Sequence, residues 1–398
     1  MPLLDLFSSE HQIRPLLLKD RGLGQPKGDL AEHLTSRVTV FILCVLTAFC
    51  LTHFFWGKEQ IYCWPEHQDI IEPWNDFVNA FCYIQGTFFV PLDDPQPWKR
   101  QNDRININYY HWVPYVIVIM ALLLYLPELV WLRILCRNFC GLDLTNLIMY
   151  IREAWRQCGQ DLPKLGRGFQ EKTAIYFANS LGLHQAKNRK CPTLTFCYLL
   201  SKIINVFLSA FCWLWLNALL ESPRYAYWGL AIVRDLRAGL GWAETGHFPR
   251  LTYCINHRRG YGHEQDDVVK CALPMMVYYE KIFIFLWFWL GFIVALNVVS
   301  LLYWTVLLCF PSSNYYFVRS HLLETLEWHD QSEERNKLYR LVNNELRLDG
   351  ILVLRKISSD VGSLPTAYLV SQIYRLGLGQ METTTKRHEM EYIDWKNA

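Results

Sequence analysis

Charge of either sign is missing from long stretches of this chain. Segments 38–56, 203–220 and 282–310 contain no Asp, Glu, Lys or Arg, and 113–132 contains only Glu128. About 20 predominantly apolar residues cross the hydrocarbon core of a bilayer, so this absence points away from a soluble enzyme and towards four membrane spans. The net charge is only +2, which offers no footing for nucleic acid. Residues 1–20 lack a continuous apolar core before a small-residue site, so no cleavable signal peptide is read and the first span serves as the insertion signal. No Asn-X-Ser/Thr acceptor occurs in 57–112 or 221–281. No span clusters His, Asp or Glu, and no nucleophile–base pair has a catalytic context, so catalysis is not expected. The run GLGQPKG at 22–28 lacks the glycine spacing and Lys-Ser/Thr ending of a phosphate loop and reads as a hinge. His247, His257 and His263 with Glu264, Asp266 and Asp267 match no established metal-ligand spacing. Neither a metal nor a cofactor is expected.

Four spans divide the chain into a leader (1–37), a first span (38–56), a loop (57–112), a second span (113–132), a middle loop (133–202), a third span (203–220), another loop (221–281), a fourth span (282–310) and a tail (311–398). An even number of spans places both termini and the middle loop on one side. The middle loop and leader are rich in Lys and Arg, whereas 57–112 is rich in acids. This asymmetry orients the termini to the cytosol and the other two loops outside. Those outer loops carry two cysteines each, Cys63 and Cys82, then Cys254 and Cys271. An oxidising space lets them pair. Four cysteines allow three connectivities, and spacing does not choose among them. The expected fold is therefore an all-α polytopic membrane protein: four transmembrane helices, two disulfide-stapled extracellular loops and a cytosolic helical domain.

Residues 143–158 show helical spacing of Leu144, Leu147, Ile148, Ile151 and Trp155, with Asp143 as N-cap. Residues 349–357 and 363–374 read as further helices, and 378–398 as a polar, disordered end. Glu128 is read as pairing with Arg133, and Lys202 as snorkelling from the mouth of the third span. In the first span, Ser36, Thr39, Leu43, Thr47, Cys50 and Phe54 fall on one face at about 100° per residue. A mildly polar face can line water; the bland alternative is that Ser and Thr bond back to their own helix or pack against a neighbour.

Several runs carry a family resemblance. They are QPKGDLAEHLTSRVTV from Gln25, Cys63-Trp64, GTFFVPL from Gly86, Tyr109-Tyr110-His111-Trp112-Val113-Pro114, TGHFPR from Thr245 and YYEKIFIFLWFW from Tyr278. In this order, with these cysteines, they make the chain similar to the innexins, invertebrate gap-junction proteins related to pannexins. His111 stands where the family usually has Gln. Connexins share the four-span plan but carry three cysteines per outer loop.

The resemblance implies a plasma-membrane channel subunit at gap junctions. It implies a homo- or heteromeric ring of eight in membrane lipid. Two hemichannels of apposed cells would dock through the outer loops to pass ions and small molecules. It further implies disulfides Cys63–Cys271 and Cys82–Cys254, and a pore lined by the first span and the leader. The runner-up readings are an undocked pannexin-like channel and a non-channel tetraspan adhesion or scaffold protein, although the CCG motif of tetraspanins is absent.

Overall fold

A computed structural model of the chain describes residues 29–56, 60–64, 72–90, 105–139, 142–158, 168–181, 193–220, 228–239, 248–260, 263–325 and 332–375. The GLGQPKG run, residues 378–398 and the 245–247 part of TGHFPR lie outside them. The described chain is mostly helical, and four helices are long and apolar enough to cross a membrane.

The first, α1, is built in three pieces: an α-helix Leu30–His33, a π-helical stretch Leu34–Thr39 and an α-helix Val40–Trp56. It starts eight residues before the apolar run does, because Asp29 and Glu32 form an N-terminal cap in which the Asp29 N–H donates to Glu32 Oε2 at 3.0 Å. Then follow β1 (Tyr62–Trp64), α2 (Glu72–Gln85), β2 (Thr87–Phe89) and β3 (Ile105–Ile107). A 3₁₀ turn, Tyr109–His111, leads into α3 (Val113–Leu129), which continues as a π-helical stretch, Val130–Phe139. Next come α4 (Leu144–Cys158), α5 (Gly168–Ser180), the long α6 (Thr193–Leu220) and α7 (Trp228–Arg237). A hairpin of β4 (Leu251–Gly260) and β5 (His263–Ala272) precedes α8, Met275–Cys309. The chain closes with α9 (Pro311–Thr325), α10 (Ser332–Arg340) with its π-helical continuation Leu341–Leu346, α11 (Arg347–Asp360) and a helix α12 over 363–375.

Two compact units result, and the division falls inside each of the four long helices. One comprises 1–36, 126–206 and 297–398. Its core is apolar side chains from α4, α5, α6, α9, α11 and α12, among them Leu147, Ile148, Phe177, Val318, Ile357 and Ile373. Asp143 accepts a hydrogen bond from the Asn146 N–H at 3.2 Å and so caps α4. Asp349 caps α6 from a distant part of the chain, accepting from the Thr195 N–H at 2.8 Å, the Thr195 hydroxyl at 2.7 Å and the Leu194 N–H at 3.4 Å.

The other unit comprises 37–125 and 207–296. It contains a feature absent from the expectation of helices joined by stapled loops: an antiparallel sheet of five strands in the order β1-β5-β4-β2-β3. Three strands come from the loop before α3 and two from the loop before α8. Alternation shows in the strands, with Thr252 and Cys254 buried on β4, and Val269 and Cys271 buried on β5. Gly86 makes the turn from α2 to β2 at φ +89°, and a Cβ there would lie 2.0 Å from Asn108 Oδ1, so only glycine fits.

Candidate functional site

The chemistry of the sheet unit lies in its covalent cross-links. Cys63 of β1 and Cys271 of β5 stand opposite each other in the strand register and form a disulfide. Cys82 of α2 bonds to Cys254 of β4, fastening that helix to the sheet. Each bond joins the two loops, with sequence separations of 208 and 172 residues. The sulfurs of Cys63, Cys82 and Cys271 lie within 4.8 Å of one another. That grouping resembles a ligand set, but all three sulfurs are already spent in disulfides, so it is two staples side by side. Disulfides restrict the unfolded chain by about 2–4 kcal/mol each, more for long loops.

The Tyr109–Trp112 turn fixes the end of the sheet to the start of α3. The Tyr110 hydroxyl donates to the Tyr83 carbonyl at 3.1 Å, and the Tyr109 hydroxyl contacts Met276 Sδ at 3.6 Å. The His111 ring lies 4.4 Å from that of Tyr83 and 4.2 Å from that of Tyr110. Burial holds the His111 imidazole below its ordinary value, against the pull of hydrogen bonds with the Asn108 and Tyr83 backbone. The Tyr83 phenol, likewise desolvated, is pushed up to about 12 and stays neutral. Trp112 is exposed.

The face of α1 marked as water-lining turns inward. Thr39, Leu43 and Cys50 are 0% exposed, and Ser36 and Thr47 are also buried. The Ser36 hydroxyl donates back to the Glu32 carbonyl at 2.7 Å, and the Trp289 indole donates to Thr39 Oγ1 at 3.0 Å. Leu43 and Cys50 join the sheet unit's core with Val113, Ile117 and Leu286. Within the protomer this face therefore meets other helices. The polar residues on it are small enough to let helices approach and bond across. Phe54 lies outside the described side chains. The outward face carries Phe41, Cys44, Val45, Ala48, Phe49 and Thr52.

Lys202 does not snorkel. It is 3% exposed, with Nζ 2.8 Å from Asp29 Oδ2 and 3.0 Å from Glu32 Oε1. Glu32 also pairs with Lys356 at 3.2 Å and accepts from the Tyr198 hydroxyl at 2.9 Å. Ser300 and the Trp304 indole both donate to Asp29. Burial alone would raise the Asp29 carboxyl, but the Lys202 ammonium and hydrogen bonds from Lys202 and Ser300 outweigh it and hold it low. Sequence reasoning missed Asp29, Glu32 and Lys356 as a group. Asp29 and Glu32 have capping-box spacing, but nothing local announces their partners. The Arg133 side chain, expected to pair with Glu128, lies outside the described residues.

Four membrane-capable helices, with the two alternate loops cross-linked onto one sheet, define a polytopic membrane protein with a covalently stapled loop domain. The innexin family model matches residues 28–376. Innexin-6 of Caenorhabditis elegans is 33% identical over 352 residues, covering 87% of each chain. Innexin unc-9 of the same organism is 28% identical over 362 residues, covering 87% of this chain and 91% of its own. Innexin-16 is 29% identical over 352 residues, covering 87% and 89%. The chain belongs to the innexin family, whose members are the subunits of oligomeric gap-junction channels.

Proposed function

We propose that this innexin assembles into a ring of eight, alone or with other innexins, and docks with a ring of an apposed cell. Both termini then face the cytosol, and the loops holding the sheet face the partner cell. The observation that carries this reading is the single sheet knit from both loops and held by Cys63–Cys271 and Cys82–Cys254. Docking aligns many copies at once. A face whose loops were free would lose conformational entropy on every encounter, and pre-organisation reduces that cost.

The pore wall in this reading comes from the leader and the outward face of α1, where Cys44, Ala48 and Thr52 recur every four residues. The spacing keeps one stripe of the helix narrow. The ions and small molecules that pass need no catalytic group, and the chain acts as a conduit with no enzymatic step.

Junctional current between paired cells expressing the chain, alone and with other innexins, tests the reading. Current between the cells supports it. Current in single cells with none between pairs would favour an undocked channel, and no current in either setting with intact surface expression would refute the channel reading. Introduced cysteines at Val45 and Ala48 should react with a small charged thiol reagent in open channels once Cys44 and Cys50 are removed, while one at Thr39 should not.

A further inference from the structure

Four charged side chains from three parts of the chain meet at the first turn of α1. Asp29 and Glu32 lie three residues apart on that turn. Lys202 comes from α6 and Lys356 from α11. The charges balance, two against two, and both ammonium groups are buried. Lys356 is further enclosed by aromatic faces, its Nζ standing 4.6 Å from the Tyr198 ring centre and 5.1 Å from that of Trp304.

A seam that served only stability would not need these charges. Buried ion pairs are often matched or bettered by well-packed apolar residues, yet losing one partner is strongly unfavourable because the other charge stays buried and unpaired. The contact is thus close to all-or-none, and Glu32 cannot keep its full complement of partners if α11 moves away.

Two backbone features flank the cluster. Arg347, at the start of the helix that carries Lys356, has φ 51° and ψ −171°, a conformation that side chains other than glycine's rarely adopt and that stores strain. Two residues after Glu32 begins a π-helical stretch, Leu34–Thr39, an expansion frequent at functional sites.

We propose that the Asp29–Glu32–Lys202–Lys356 cluster is a latch that couples α11 to the entry of the first membrane helix. Engaged, it clamps the first turn of α1; when α11 shifts, Glu32 loses Lys356 and the turn is released. The inference rests on the channel reading, in which that turn leads into the pore.

The test uses full-length protein. In detergent, hydrogen exchange over residues 30–36 should rise at least ~10-fold in Lys356→Met. Lys356→Arg should retain most of the protection, because it keeps the charge. Glu32→Gln combined with Lys356→Met should cost less than the sum of the two single changes. In cells, an Asp29→Cys/Ser300→Cys pair should gate differently when oxidised and when reduced, since these short side chains already touch. Unchanged exchange in Lys356→Met, additive single changes, or identical gating of the oxidised and reduced pair would each overturn the latch. Wild-type protein with no current would refute the channel reading, while the exchange measurement still decides the latch.

Discussion

Gly229 of α7 sits against the Trp287 indole, and alanine there would place its Cβ 2.2, 2.4 and 2.5 Å from three carbons of that ring. No real contact is so close, so either the ring or α7 must shift. The ring is poorly placed to yield. It is buried, its N–H points to Asn217 Oδ1 at 3.4 Å, and the rings of Trp213 and Phe288 pack at 5.3 and 4.9 Å. The helix is no freer, because the Trp228 N–H donates to the same Asn217 oxygen at 3.1 Å. Overpacking of this kind costs about 1–3 kcal/mol, occasionally more. Overlap with three fixed atoms puts the cost at the upper end. Gly229 is the second residue of α7, so alanine recovers less than the ~1 kcal/mol it gains over glycine in a helix interior, leaving a net loss of about 2 kcal/mol or more.

Gly291 supplies the control. Its added Cβ would meet Trp213 Nε1 at 3.4 Å, an ordinary contact, so Gly291→Ala should be neutral or gain up to ~1 kcal/mol. Thermal unfolding of the two variants in detergent, followed by size-exclusion retention, should rank Gly229→Ala below wild type and Gly291→Ala at or above it. A Gly229→Ala midpoint equal to wild type would refute the reasoning, because the packing described here leaves no room for it.

Replacing Cys63, Cys82, Cys254 or Cys271 by Ser should abolish junctional current, whereas Cys44→Ser, at an exposed thiol, should be far milder; coupling of all four loop variants at wild-type level would refute the staple argument. Asp349→Ala should fray the start of α6 by about 0.5–2 kcal/mol, seen as faster hydrogen exchange at 194–196, while Asp349→Asn should retain much of the cap. Because burial lowers the His111 pKa in the fold, the unfolded chain binds the proton first as pH falls. Its stabilising neutrality is fully present above about pH 6.5 and is lost as pH drops towards the lowered folded value. Thermal midpoints of wild type and His111→Gln should therefore diverge below pH 6.5, and parallel pH profiles would refute this assignment.

The four spans and the α4 helix could be read from the chain because burial in lipid or against a core imposes a one-dimensional pattern. Unbroken apolar runs mark α1, α3, α6 and α8, and 3.6-residue spacing with Asp143 as cap marks α4. The family could be read because motifs such as Tyr109–Trp112 survive as short strings. The sheet could not be read. Strands β1, β2 and β3 are three residues long, too short for alternation to register, and β1 and β2 join β5 and β4, which lie far away in sequence. The facing of α1 was also beyond the sequence, since periodicity reports a face without saying what covers it. Only the approach of Asn297 and Trp289 shows that Thr35 and Thr39 serve packing. The partners of Asp29 and Glu32 stand up to 324 residues away. Charge complementarity across such separations depends on how distant helices are brought together, and tertiary structure alone decides that.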